Sequence, residues 1–116
     1  MGLTYIEGTL RNDGQEASVT FLVDSGARYT VVPHDVWRHL GLTAERAQEF
    51  VLADGTIVER SIAHCQIELP QGRTPTPVIL GEPGDEALLG VVTLEELGLV
   101  LYPFSRELRP MRAMLA

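Results

Sequence analysis

Phe21-Leu22-Val23-Asp24-Ser25-Gly26-Ala27 is the stretch on which the reading of this chain turns. Just upstream, Ala17, Val19, Phe21 and Val23 alternate with Ser18, Thr20 and Leu22, a period of two that marks a strand with one buried face. That strand runs straight into Asp24. A carboxylate delivered at the end of a buried strand is unfavourable unless it is hydrogen-bonded or used. Gly26 lets neighbouring backbone approach closely, and its amide can point at the carboxylate. Asp-Ser-Gly alone is an ordinary turn. The apolar strand before it, with Ala27 and the β-branched run Thr30-Val31-Val32 after it, sets this instance apart.

Working outward, the pattern is strand-like and broken by Gly and Pro. Thr4 to Leu10 reads as a first strand, and Asn12-Asp13-Gly14 as the turn into the second, because these residues tolerate positive φ. Pro33 starts another rhythm: Val36, Trp37 and Leu40 fall at helical spacing before Gly41, predicting a short helix over about 34 to 40. Phe50-Val51-Leu52 and Thr56-Ile57-Val58 flank Ala53-Asp54-Gly55, a hairpin signal. Ala63, Cys65, Ile67 and Leu69 alternate with polar residues in a further half-buried strand, and Pro70-Gln71-Gly72 turns the chain. Pro77 to Leu80 and Ala87 to Gly90 read as strands about an acidic loop, Glu82 to Glu86. Thr93 to Leu97 reads as a second helix, capped by Thr93 with Glu95 and Glu96 in its first turn. Leu99 to Tyr102 closes the fold before a tail.

Leu40-Gly41-Leu42 ends the first helix and Leu97-Gly98-Leu99 ends the second, 57 positions later, each after strand, polar loop and short strand. The repeated order predicts two half-domains packed about an approximate two-fold axis. Only the first half carries Asp-Ser-Gly; the second has Leu88-Leu89-Gly90 near the equivalent place.

Composition bounds the function. The 116 residues, 45% hydrophobic and 22% charged, fit a single folded domain over 1–116 and neither disorder nor a fibrous repeat. Nine Lys and Arg against sixteen Asp and Glu leave a net charge of −7, which argues against nucleic acid as a partner. No apolar stretch approaches the ~20 residues of a membrane span, and Met1 to Tyr5 show no signal peptide. The lone Cys65 excludes an internal disulfide and suits a reducing compartment, so a cytoplasmic location is expected.

Phe21 to Ala27, then Thr30-Val31-Val32, then the late Leu88-Leu89-Gly90 before a short helix, together resemble the retropepsin-like aspartic proteases. The resemblance runs from about Val19 to Tyr102. It implies an all-β, closed acid-protease barrel with a flap hairpin and two short helices, active as a two-fold homodimer on peptide or protein substrates without a cofactor or metal. Such enzymes activate a water between two carboxylates that share one proton. This chain holds one Asp-Ser-Gly and no second copy, so Asp24 of each of two protomers would form the pair. By the same resemblance Ser25 bonds across the dimer axis, Gly26 completes the loop, and Ala27 lies beside substrate backbone. Ala53, Asp54, Gly55 and Thr56 match the flap, and Leu88-Leu89-Gly90 buttresses the loop by packing.

The chain also departs from the family pattern. Arg28 and Val91 stand where many retroviral members carry an Asp and an Arg that tie the dimer. Dimerisation is therefore expected through Met1 to Tyr5 and the tail Arg106 to Ala116, where Met111, Met114 and Leu115 are apolar. The alternative function is an inactive or weakly active dimer of the same fold, serving peptide binding or assembly. A further alternative is an unrelated monomeric β-barrel in which Asp-Ser-Gly is only a turn. Arg28, beside the expected cleft, suggests a taste for acidic or carbonyl groups. His34 and His39 are five apart, outside the spacing of metal ligands sharing a helix face. Cys65 reads as a buried thiol, His64 as solvated, and Trp37 as packing.

Overall fold

A computed structural model of the chain describes residues 3–102 and 104–111. Strand β1 (Tyr5–Asn12) turns through Asp13 and Gly14, at φ 48° and 83°, into β2 (Gln15–Val23). Two consecutive left-handed residues make the tight turn whose twist matches that of the strands it joins. There follow β3 (Thr30–Val32), α1 (His34–His39), β4 (Arg46–Val51), β5 (Ile57–Leu69) and β6 (Gly72–Leu80). The last elements are β7 (Leu88–Leu89), α2 (Val91–Glu96), β8 (Leu99–Tyr102) and β9 (Glu107–Pro110).

The main sheet has the order β1-β2-β7-β3-β6-β5-β4, and β1 also pairs with β5. That extra pairing closes six strands into a barrel and leaves β4 outside it. Length explains how β5 serves both: its first half, Ile57 to Ile62, pairs with β4, and Gln66 to Glu68 pair with β1. The barrel is filled by the inward faces the alternation marks out. Val19, Phe21 and Val23 of β2 meet Ala63, Cys65, Ile67 and Leu69 of β5, with Phe21 and Ile67 fully buried. Burying each large side chain contributes roughly 1.5–3 kcal/mol. Trp37 packs against this core and its indole N–H donates to the Gly81 carbonyl at 2.8 Å, pinning α1 to the end of β6.

The two halves exchange matching partners. β2 runs parallel to β7 and β3 runs parallel to β6, while β3 and β7 cross antiparallel at Val31 and Leu88. Helix α1 ends with Gly41 at φ 71° donating to the Arg38 carbonyl, and α2 ends with Gly98 at φ 67° donating to the Glu95 carbonyl. Leu42 N–H additionally reaches the Trp37 carbonyl, completing a Schellman motif on α1. The echo in sequence is thus an echo in backbone geometry.

Several expected boundaries move. The hairpin arm at 56 to 58 and the strand at 63 to 69 are one continuous strand, β5. The strand expected from Pro77 begins at Gly72, because Pro75 and Pro77 precede Val78, where β3 first pairs with β6, and a missing N–H is tolerated along an open edge. Helix α2 starts at Val91 behind Gly90, so Thr93 is a buried member of the helix and no cap. Glu95 and Glu96 accordingly lie in its last turn. Part of the expected tail, Glu107–Pro110, is a strand antiparallel to β8. Met1, Gly2, Met114 and Leu115 lie outside the described residues.

Any side chain at the two helix-terminal glycines must adopt a left-handed conformation that costs L-residues roughly 1–2 kcal/mol. Gly41→Ala and Gly98→Ala should each lower stability by about that amount in urea denaturation, with the native fold retained.

Candidate active site

The Asp24 loop is built by two chain segments crossing. Asp24 leaves the buried end of β2, and its N–H donates to the Leu89 carbonyl at 3.0 Å. The chain then turns tightly, with the Ala27 N–H on the Asp24 carbonyl at 3.1 Å and the Gly26 N–H on Asp24 Oδ1 at 2.9 Å. From the other half, Val91 and Val92 donate their N–H groups to the Ala27 and Arg28 carbonyls at 2.8 and 2.9 Å. The half-buried Asp24 carboxylate has no ion-pair partner among the described residues. It is presented on a rigid frame with one backbone donor and an open side.

Gly90 decides how closely the segments cross. A Cβ at that position would lie 2.4 Å from the Tyr29 carbonyl carbon and 2.8 Å from the Thr30 nitrogen, both backbone atoms. Only glycine fits. The Gly90 N–H donates to Thr30 Oγ1 at 3.1 Å. Thr30 Oγ1 then bonds Thr93 Oγ1 at 2.6 Å, and Thr93 Oγ1 bonds Thr76 Oγ1 at 2.8 Å. All three threonines are fully buried, so each hydroxyl finds its partner inside the protein. This chain of hydroxyls joins β3, α2 and β6 beneath the Asp24 loop. Leu88-Leu89-Gly90 therefore supports the loop by hydrogen bonds as well as by the packing expected of it.

The candidate residues fall on two sides. Gly26, Ala27 and Arg28 line a cavity of about 400 Å³, shared with Phe50, Leu52 and Val58 of the β4–β5 hairpin. Ser25 faces away, into a smaller apolar groove of about 200 Å³ with Val91, Leu94, Val100 and Met111. The hairpin tip is as expected: the Thr56 N–H donates to Asp54 Oδ1 at 2.9 Å, hydrogen bonding from the Thr56 side chain and then from this N–H holds that carboxyl below its usual range, and Gly55 takes φ 87°. Ala53, Asp54, Gly55 and Thr56 are exposed and do not line the cavity; the arms of the hairpin do.

Tyr29, which sequence reading passed over, is buried between the loop and the hairpin. Its ring meets Phe50 edge-on at 6.1 Å, and its hydroxyl accepts a long 3.5 Å bond from Arg46 Nη2. Arg28 lies 5.4 Å from the ring centre. Hydrogen bonding to Arg28 and then to Arg46 lowers the Tyr29 phenol from its ordinary value. Nothing in the spacing of the sequence pairs Thr30 with Thr93 and Thr76, or Tyr29 with Arg46.

The remaining candidates lie apart from this site. Cys65 is buried, and desolvation pushes its thiol up to about 11. His64 is exposed, with its backbone N–H and Nδ1 both 3.0 Å from the Glu45 carboxylate. His39 reaches the Glu16 carbonyl while His34 stacks edge-on against Trp37.

A closed barrel with two crossed loops, one presenting Asp-Ser-Gly beneath a hairpin, is the retropepsin-like architecture. Residues 10–96 match the family described as "gag-polyprotein putative aspartyl protease". Among solved structures, that of the Simian Foamy Virus (mac) protease matches with a TM-score of 0.58 and 17% identity, covering 81% of this chain and 94% of that one. No curated protein sequence matches. The chain belongs to the gag-polyprotein aspartyl protease family, and by that membership is classed as an aspartic endopeptidase. The alternative of an unrelated β-barrel is thereby overturned.

Two measurements probe this framework. Thr93→Val keeps the volume but strands the Thr30 and Thr76 hydroxyls, and should destabilise the fold by about 1–3 kcal/mol in urea titrations. A thiol reagent at pH 8 should leave Cys65 untouched in the native protein and modify one equivalent after unfolding.

Proposed function

We propose that the chain acts as a homodimeric aspartic endopeptidase, with Asp24 of each protomer forming the catalytic pair. One observation carries this reading: a framed carboxylate with one backbone donor and no ion-pair partner among the described residues stands beside a largely apolar groove that Ser25 lines. Exposed Leu3, Tyr5, Val100, Tyr102 and Met111 add apolar surface of the kind that two copies bury on association. Met111 N–H on the Gly98 carbonyl and Thr4 carbonyl on the Val23 N–H tether both chain ends beside the loop. Interface formation through the ends suits a chain in which Arg28 and Val91 replace the family's ion pair.

Two carboxylates meeting at the axis cannot both stay ionised, so they hold one proton between them. The ionised Asp24 takes a proton from a water as its oxygen attacks the peptide carbonyl carbon. The protonated partner gives its proton to the carbonyl oxygen, forming a gem-diol. Proton transfer to the amide nitrogen then lets the C–N bond break, releasing an acid and an amine, with no covalent enzyme intermediate. Ser25 bonds across the axis and holds the loops in register. Gly26 and Ala27 border the substrate backbone, and the 53–56 hairpin closes over it, excluding water and adding main-chain hydrogen bonds. A reducing, cytoplasmic setting belongs to this reading, since the chain's single cysteine, Cys65, has no partner in the chain for a disulfide.

Light scattering of the purified protein should return twice the chain mass, and peptides tested between pH 4 and 7 should be cut in a manner blocked by a general aspartic-protease inhibitor. Asp24→Asn should keep the dimer and lower the cleavage rate by at least about a hundredfold. An undiminished rate in that variant, or a monomer that cleaves, would falsify the assignment. Peptide binding without cleavage by the unaltered protein would instead favour the assembly role.

A further inference from the structure

The 400 Å³ cavity beside the Asp24 loop carries a charge arrangement that its apolar lining does not need. Val31, Phe50, Leu52, Ile79 and Leu88 supply walls suited to a large apolar side chain. Arg28 stands among them, two residues beyond Gly26. In a chain with sixteen acidic residues, whose nine basic residues are all arginine, neither Arg28 nor Arg46 has a carboxylate within 4 Å among the described residues. Both lie against one neutral side chain, Tyr29: the Arg28 guanidinium carbon is 5.4 Å from the ring centre and Arg46 reaches the hydroxyl at 3.5 Å, while among the described residues Arg46 otherwise donates to the Gln48 side-chain oxygen at 2.7 Å. Two guanidinium groups set against one neutral side chain retain their charge and unused donors.

The other charges of the cavity are accounted for differently. Arg60 lies 3.9 Å from Glu82 and donates to the Glu59 carbonyl. Asp85 accepts the Glu82 N–H at 2.7 Å, a bond that closes its own loop, and Glu86 is exposed. Glu86 also lines the cavity without an ion pair among the described residues, so both signs are present there, and Arg28 is the cavity charge carried on the Asp24 loop itself.

We propose that Arg28, with Arg46 on the other side of Tyr29, holds a substrate carboxylate at the rim of this cavity, so that the protein prefers peptides in which Asp or Glu neighbours a large apolar residue. The inference rests on the reading of the Asp24 loop as a peptide cleft. Arg28 is a specificity residue in this scheme: its planar fork matches a carboxylate in two-point contact. Arg46 is a positioning residue, because it reaches the site through Tyr29.

The test uses octapeptides with a central Phe-Leu pair and a single Glu, Gln or Lys moved through the flanking positions. Binding is measured by fluorescence anisotropy on Asp24→Asn protein, which cannot consume them. At one position or more, the Glu peptide should bind about tenfold more tightly than its Gln counterpart. Adding Arg28→Gln should abolish that ratio, Arg28→Lys should keep part of it, and Arg28→Glu should turn it toward Lys. Arg46→Gln should weaken it and leave the apolar preference intact. Equal binding of Glu and Gln peptides, a preference for Lys, a ratio that survives Arg28→Gln, or no binding at all would each overturn the inference. Cleavage of the same panel by the unaltered protein reports separately on proteolysis. Cutting without charge preference sinks the Arg28 role alone, and a Glu preference without cutting sinks proteolysis alone.

Discussion

The close crossing of Gly90 over the Tyr29–Thr30 backbone is the constraint on which the rest of the molecule depends. Because no side-chain carbon intervenes, the two loops come near enough for Val91 and Val92 to hold the Ala27 and Arg28 carbonyls and for Leu89 to accept the Asp24 N–H. Backbone bonds of this kind fix the loop that carries Asp24, while its carboxylate accepts one backbone donor and no ion pair among the described residues. Preorganisation of an acid before substrate arrives is what water activation demands. A turn held only by its own hydrogen bonds would not supply it.

Burying three threonines beneath that crossing serves the same end. Hydroxyls are unfavourable in an apolar interior unless every one is paired, and Thr30, Thr76 and Thr93 satisfy one another and Gly90 in a single chain. The network ties the first half of the barrel to the second where the halves exchange strands. Stability of the fold and placement of the acid are consequently not separable here.

Charge tells a complementary story. The chain is acidic overall, yet the loop carries Arg28 into the larger cavity, where Arg60, Asp85 and Glu86 also lie, and the groove on the Ser25 side is largely apolar with Glu95 at its edge. In the proposed function, substrate takes the first face and a second copy the other. Long β5 serves both ends of this design, since it closes the barrel against β1 and extends into the hairpin whose arms wall the cavity.

Local chemistry made much of this legible in advance. Alternation through Phe21 marked the core strand, Asp13-Gly14 and Asp54-Gly55 marked their turns, and the paired Leu-Gly-Leu segments announced two matching helix ends, all because strand period and left-handed glycine are properties of short stretches. The Asp24 loop was visible for the same reason, through a carboxylate set at the end of an apolar run. Other features could not be read from neighbours in sequence. Thr93 looked like a cap until the fold enclosed it with Thr30 and Thr76, and Pro75 and Pro77 hid a strand whose outer edge happens to be open. Tyr29, Arg28 and Arg46 converge only because β4 folds back beside the loop. Side-chain meetings across sixty positions are set by strand exchange between the halves, which is a property of the closed barrel and of no segment within it.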